Sequence, residues 1–443
     1  MTQPMQITSF KKKSPLIYVS LLALILTITI PVKGFAKEGW GAIPLSDRYR
    51  PKRDWAKRFA STPNVVANGS IGDAIESCDS IVGEGQYCVV EVTNTSSGLP
   101  LEIYRSKTKL IGVADMQPLI SLKDDIFIYI GENTNKVIIE GLNIQGHEAG
   151  NKGIFGIYVE GENIRDIMII NNKIHDFNSN VDAHGIAVYG SGENARKAIR
   201  NVVIEGNEVS NMRTGSSESI VVNGNVVRWE IKNNIITNVN NIAIDAIGGE
   251  GTSPTRKRRG RVLPGVSDAA RFGFIEGNTV SNMSTAGNPA YDNEESWAAA
   301  IYIDGARYIK IANNHVENAS WAYMLGAENC VATRHITMID NHATGSTYGD
   351  LYVGGYAEKG YIRDKSINCN PKTSYDEKEG HGYIKSITVK NNHFQSSSAS
   401  EKLVTIGYRV THAIIIESTV QAINTDKNGY ARGGDSNAIK TTE

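Results

Sequence analysis

Surplus charge is the first thing this chain lacks. Across 443 residues, 46 Lys and Arg stand against 47 Asp and Glu, a formal net charge of −1. A chain so balanced has no general basic surface, which argues against nucleic acid as the main partner. Long apolar runs are missing too, apart from residues 16–30, a stretch short for a membrane span. Lys11, Lys12 and Lys13 precede it and Gly34, Phe35 and Ala36 follow. Residues 1–36 therefore read as a cleaved secretory signal, with an uncleaved anchor as the alternative. The expected protein is secreted or periplasmic, monomeric, and off the membrane after cleavage. Cysteine is scarce, but its four copies are an even number and an exported chain meets an oxidising compartment. Cys78 with Cys88 and Cys330 with Cys369 are the expected disulfides.

What is present is a repeat. A β-branched run, then Asn or Gly-Asn, then another apolar strand residue recurs as IMIINNKIHDF (167–177), VVIEGNEVSNM (202–212), WEIKNNIITNV (229–239), GFIEGNTVSNM (273–283), IKIANNHVENA (309–319), ITMIDNHATGS (336–346) and ITVKNNHFQSS (387–397). Superposition puts Asn172, Asn207, Asn234, Asn278, Asn314, Asn341 and Asn392 at one position, at intervals from 27 to 51 residues. Fixed coils with loops of varying length behave this way in a solenoid. A β-sandwich with Asn-rich turns, the alternative, has no reason to repeat one bend seven times at one phase. The bend is expected where the asparagine sits, because Asn tolerates left-handed backbone, and stacked asparagines should bond up the coil.

A second phrase alternates with the first: GIYVEG, GIAVYG, SIVVNG, NIAIDAIGG, AIYIDG, DLYVGG and LVTIGY. Its period of two marks a strand with one buried face, for example Ile186 with Val188 and Ile301 with Ile303. Residues 70–80 place Ile71, Ala74, Ile75 and Cys78 on one helical face, a plausible cap for an open solenoid end. Residues 37–69 and 421–443 are polar and are expected to be extended or mobile.

The order of second-phrase strand, turn, asparagine strand, bend, short strand and long loop resembles the right-handed parallel β-helix of pectate lyases and related polysaccharide lyases and epimerases. The resemblance covers residues 70–420. It implies an all-β solenoid whose interior is filled by side chains and whose chemistry lies on an outer face, the second-phrase or groove strands. Outward positions read from the alternation are Tyr158 and Glu160, Ala187 and Tyr189, Val221 and Asn223, Ala243 and Asp245, Tyr302 and Asp304, and Tyr352. The loops ahead add Asp182, His184, Arg213, Glu218, Asn240 and residues 292–297.

The chemistry such a groove implies is β-elimination on an acidic, uronate-containing polysaccharide, with C5 epimerisation or binding alone as alternatives. Elimination needs a base, an acid for the leaving oxygen and a group that neutralises the carboxylate. His184 is the candidate base, Arg213 a bidentate partner for a carboxylate, and Tyr189 and Tyr302 candidate proton donors. Tyr158, Glu160 and Trp297 are candidate substrate contacts, as are Arg256 and Arg258 in the basic segment 255–261, whose alternative is an exposed protease-sensitive loop. Glu218, Asn223, Asp245 and Asp304 are candidate Ca2+ ligands, and their alternative is a set of solvated strand ends.

Two motifs of the resembled enzymes are missing. The lysine that follows a metal-binding glutamate in calcium-dependent alginate lyases and chondroitinase B would fall at Asn223 if Glu218 were that glutamate. The Asn-Thr-Asp motif and aspartate pair of polygalacturonases appear only as Asn424, Thr425 and Asp426 at the far C-terminus and as Asp124 and Asp125, well before any groove strand read here.

Overall fold

The computed structural model describes residues 42, 44–121, 125–258, 261–329, 331–355, 382, 384–395, 404–406, 414–419, 423–425 and 439–441. Its strands wind as a right-handed parallel β-helix. Asparagine-bearing ladder strands and the short strands after them form one 21-stranded sheet, and groove strands form a second of 11 strands. All pairings between the named strands of these two sheets are parallel, for example Ile169 with Ile204 and Ile186 with Ile220.

Alternation in the ladder strands explains the core. Ile139, Ile169, Ile204, Ile231, Ile275, Ile311, Met338 and Val389 occupy one inward register on successive coils. Each is at most 1% exposed, and burying a side chain of this size contributes about 1.5–3 kcal/mol. No helix repeats, because a coil whose inward residues recur every second place gives a helix no face to bury.

The asparagine ladder forms as expected. Asn172, Asn207, Asn234, Asn278, Asn314, Asn341 and Asn392 are all buried, and each of the first six donates its Nδ2 to Oδ1 of the next at 2.8–3.0 Å. Each Nδ2 also meets a carbonyl of the preceding coil, such as Asn278 on Ile231 at 2.9 Å. The left-handed residue, however, is the one before the ladder position: Asn171, Gly206, Asn233, Gly277, Asn313, Asp340 and Asn391 have φ between 53° and 67°. The two tasks are divided because the inner asparagine must aim its amide along the axis while its neighbour makes the turn. A second, exposed ladder lies four residues later, where Asn211, Asn238, Asn282 and Asn318 share positive φ and bond in sequence at 3.1–3.4 Å.

At the N-terminal end Leu142 takes the asparagine's place and its N–H donates to Asn172 Oδ1. Coils below it lack the signature residue, and they hold two further groove strands, Leu101–Ile103 and Ile126–Ile130. Asp125 therefore directly precedes a groove strand instead of lying far from one, and Asn424 and Thr425 fall within groove strand Ile423–Thr425. Eight groove strands lie between these two ends, so the polygalacturonase constellation stays divided. Asp124 and Asp426 lie outside the described residues.

Helix Ile71–Val82 begins at Ser70, whose Oγ accepts the Asp73 N–H, and ends at Gly83 with φ 94°. Its buried Ile71, Ala74, Ile75 and Cys78 join the core, and Cys78 is disulfide-bonded to Cys88. The Cys330–Cys369 pair, the signal segment and most of residues 421–443 lie outside the described residues.

Residues 44–60 are not simply extended: 3-10 turns at Asp47–Tyr49 and Asp54–Arg58 shape a strap pinned along outward ladder residues. Trp55 packs on Ile138, Met168 and Val203. Arg53 pairs with Glu205 and Glu230, and Arg50 pairs with Glu230 and Glu276 while lying 4.1 Å over Phe274. Further along the register of Phe274, the Ala42 N–H donates to Thr388 Oγ1. Carboxylates from two outward registers hold this strap, Glu230 in one and Glu205 and Glu276 in the other, a pattern that composition alone does not reveal.

Candidate functional site

The groove strands do not alternate strictly. Near the start of each, two consecutive residues face the core: Ala243 with Ile244, Ala300 with Ile301, and Ala322 with Tyr323. Ala243 is therefore interior, against the strict alternation, while His184 and Glu218 just ahead of such pairs reach the outer face. The register also shifts by one pair. One outward row runs Glu102, Tyr129, Tyr158, Ala187, Val221, Asp245, Tyr302, Met324, Tyr352. The next contains Glu160, Tyr189, Asn223 and Ile247. Asp245 is thus level with Val221 and Tyr302, not with Asn223.

Two aromatic clusters flank the acids. On the N-terminal side, Tyr104, Tyr129, Tyr158, Phe155 and His184 lie ring to ring at 4.6–6.1 Å, with Tyr189 5.6 Å from Tyr158. Glu160 adjoins Tyr158 and accepts a hydrogen bond from it; burial first, then this carboxylate, raises the Tyr158 pKa. On the C-terminal side Trp297, 58% exposed, meets Trp321 at 5.5 Å and Tyr352 at 5.3 Å, with Tyr348 beside them. Ring faces of this kind suit the apolar faces of sugars.

Between the clusters lies a knot of carboxyls. Asp245 is 2% exposed and its Oδ1 accepts no hydrogen bond. Burial, then the charges of Glu218, Asp304, Glu250 and Glu328, hold its pKa well above the usual carboxylate range. Tyr302 donates to Glu328 Oε1 at 2.8 Å, and burial with that carboxylate raises its own pKa. Both shifts favour the protonated form: Tyr302 becomes a weaker acid than a free phenol, and the Asp245 carboxyl is moved toward the range of a proton donor.

The four expected metal ligands do not close into a cage. Asn223 gives its Nδ2 to Glu250 at 2.7 Å and its Oδ1 accepts from Thr252. Asp304 spends Oδ1 on the Glu328 N–H and Oδ2 on Asn329. Among the described residues no group of three or more His, Cys, Asp or Glu is arranged to hold a metal ion.

His184 is buried, with Nδ1 2.8 Å from the Glu218 carbonyl. A carbonyl only accepts, so Nδ1 carries the proton and Nε2 is left as the basic nitrogen. Burial lowers its pKa to about 4, partly offset by Asp182 and that carbonyl, so the ring is neutral near pH 7.

The basic residues go elsewhere. Arg213 ion-pairs with Glu148 at the loop before the groove strand. Arg256 lies in the hairpin Arg256–Arg258/Arg261–Leu263 and lines a cavity with Arg271, Arg307 and Arg334 rather than the groove; the Arg258 side chain is outside the described residues. Residues the sequence reading missed are Glu250, Glu328, Trp321 and Tyr348. The only linear signal for the two glutamates is that each closely follows a groove strand, Ile242–Ile247 and Trp321–Ala327.

No family model matches the chain. Among curated proteins it is 36% identical over 243 residues to the uncharacterized protein YwoF of Bacillus subtilis, covering 55% of this chain and about half, 47%, of that relative. Similar solved structures include the A-module of mannuronan C-5 epimerase AlgE6 from Azotobacter vinelandii, with TM-score 0.47, 10% identity, and coverage of 84% of this chain and 94% of that one. Another is a lacto-N-biosidase from Eubacterium ramulus, with TM-score 0.46, 11% identity, and coverage of 86% and 66%. No residue role is transferred at these scores.

Proposed function

We propose that the chain is a glycan-cleaving enzyme in which Asp245 protonates the leaving glycosidic oxygen. The observation that carries this is the buried Asp245 carboxyl, set among Glu218, Asp304, Glu250 and Glu328, which with burial raise its pKa, and flanked by two aromatic clusters on one row of coils. Acid-catalysed cleavage of a glycoside uses a carboxylic acid and a second carboxylate, and Glu218 and Asp304 are the candidates for the second. A row so rich in carboxylates repels a polyuronate, so an uncharged or amino-sugar chain is the favoured substrate class. An exported location, read from residues 1–36, would place the groove among extracellular glycans.

One observation favours elimination from a uronate as a second reading: the neutral His184 presents Nε2 as a base, with Tyr189 6.0 Å away. The two readings separate in one experiment. Residues 37–443 are incubated with neutral, amino-sugar and uronate polysaccharides, and new reducing ends and the ultraviolet absorbance of unsaturated uronate are followed together. Reducing ends without absorbance, lost in Asp245→Asn, support glycoside cleavage. Absorbance that survives Asp245→Asn but not His184→Gln supports elimination, and no product on any polymer removes both readings. The same assay tests calcium: product lost on adding a chelator and restored by calcium would give Glu218, Asp245 and Asp304 the metal-binding role.

A further inference from the structure

At the turn from groove strand to ladder strand the solenoid carries a feature opposite in sign to the groove. Arg271, Arg307 and Arg334 occupy one register position on three consecutive coils. With Arg256 from the inserted hairpin they line a cavity of about 570 Å³, walled by Phe272, Tyr308 and Val331. That volume is in the range of small-molecule sites. None of the four arginines forms an ion pair among the described residues. The one acid at the cavity, Asp268, accepts backbone N–H groups from Gly251 and Ser253.

The arginines differ in how their donors are used. Arg271 is structural: its Nη1 goes to the Ser267 and Ala269 carbonyls and its Nη2 to Asn225. Arg307 spends only Nη2, on the Val266 carbonyl, and Arg256 only Nε, on that of Pro264. Arg334 makes no hydrogen bond among the described residues. Buried and half-buried cations held this close repel one another, and burial followed by the neighbouring arginines lowers the pKa of Arg271 and Arg307.

The adjoining column keeps positive φ on successive coils, at Lys136, Asp166, Asn201 and Arg228 and then at Phe272, Tyr308 and His335. What changes at the cavity is the side chain, which is aromatic on three consecutive coils. These rings stack at 5.1 and 4.5 Å, continued by Tyr49 from the strap at 4.5 Å.

We propose that this cavity binds an oxyanion, specifically a phosphate ester whose organic ring lies along Tyr308 and Phe272. Guanidinium groups on rungs about 4.8 Å apart supply more positive charge than a single carboxylate balances, and their planar forks match phosphate oxygens. The site is independent of the acid groove and of the reaction proposed there.

The test is calorimetric titration of residues 37–443 with inorganic phosphate, glucose 6-phosphate and tri-galacturonate. The expected result is saturable binding of glucose 6-phosphate, tighter than inorganic phosphate because of the ring. Arg334→Ala should weaken it by roughly tenfold or more, Arg334→Lys by less, and Asp245→Asn not at all. Thermal melts of the same variants identify any that fail to fold, and Arg334→Lys then carries the comparison. Absence of saturable phosphate-ester binding, wild-type affinity in both Arg334→Ala and Arg307→Ala, or tighter binding of tri-galacturonate would each overturn the assignment.

Discussion

Two sets of buried polar side chains run along this coil, and they differ in how their hydrogen bonds are spent. In the inner ladder every asparagine amide is paired to its neighbour and to a backbone carbonyl, as Asn278 is to Asn314 and Ile231. In the groove, Asp245 is equally buried yet leaves Oδ1 without a partner and is surrounded by other acids. Both would be costly in an apolar setting. The ladder recovers that cost as stability, while the groove leaves it uncompensated, which is expected where evolution favours chemistry over stability.

The comparison breaks hardest at Asp245. Asp245→Asn removes the proton donor and should lower kcat by about 10²–10⁴ in a reducing-end assay, while thermal stability holds or rises because like-charge repulsion is relieved. Stability lost together with activity would make Asp245 structural. Asn278→Ala should do the reverse. It strips the acceptor from the Asn234 N–H and amide and removes a donor from the Ile231 carbonyl, for a cost of about 3–5 kcal/mol by denaturant titration. A cost below about 1 kcal/mol would show that the ladder is dispensable.

Titration sharpens the contrast. His184 has a folded pKa of about 4 against 6.5 unfolded, so between those values the unfolded chain holds the extra proton. Its contribution to stability is present above 6.5 and is lost as pH falls toward 4. Asp245 has the opposite sign: with its folded pKa raised above 3.8, stability declines as pH rises from there. His184→Gln, which keeps a donor for the Glu218 carbonyl, should flatten the first slope, and Asp245→Asn the second. Unchanged slopes in both variants would remove these groups from the pH response. The smallest effect is expected in the exposed ladder, where Asn282→Gly suits φ 57° and should change stability by no more than about 0.5 kcal/mol in the same denaturant titration.

Much of the scaffold was legible. The copies at Asn172 to Asn392 gave the phase of the seven coils they mark, because one residue type must recur wherever one bend is stacked. Below Asn172 the signal failed because Leu142 accepts the same corner with only its N–H. At the site, the period of two and the second phrase place Asp245 and Asp304 on groove strands and His184 and Glu218 just ahead of them, and in the structure all four lie on groove strands. Their mutual arrangement was not legible, because the paired inward residues at the strand starts break the alternation by which outward positions were counted.

Sequence by itself determined the parallel coil, the buried asparagine column, the capping helix and the Cys78–Cys88 link, since each follows from local periodicity or short spacing. Tertiary structure alone decided that Asp245 is flanked by Val221 and Tyr302, that Glu250 and Glu328 close on it, that Arg256 turns away to join Arg271, Arg307 and Arg334, and that Arg50 and Arg53 hold the strap. The reason is the solenoid itself. Residues 27 to 51 positions apart in the chain become neighbours on adjacent rungs, and the loops that set each interval carry no period from which their side chains could be placed.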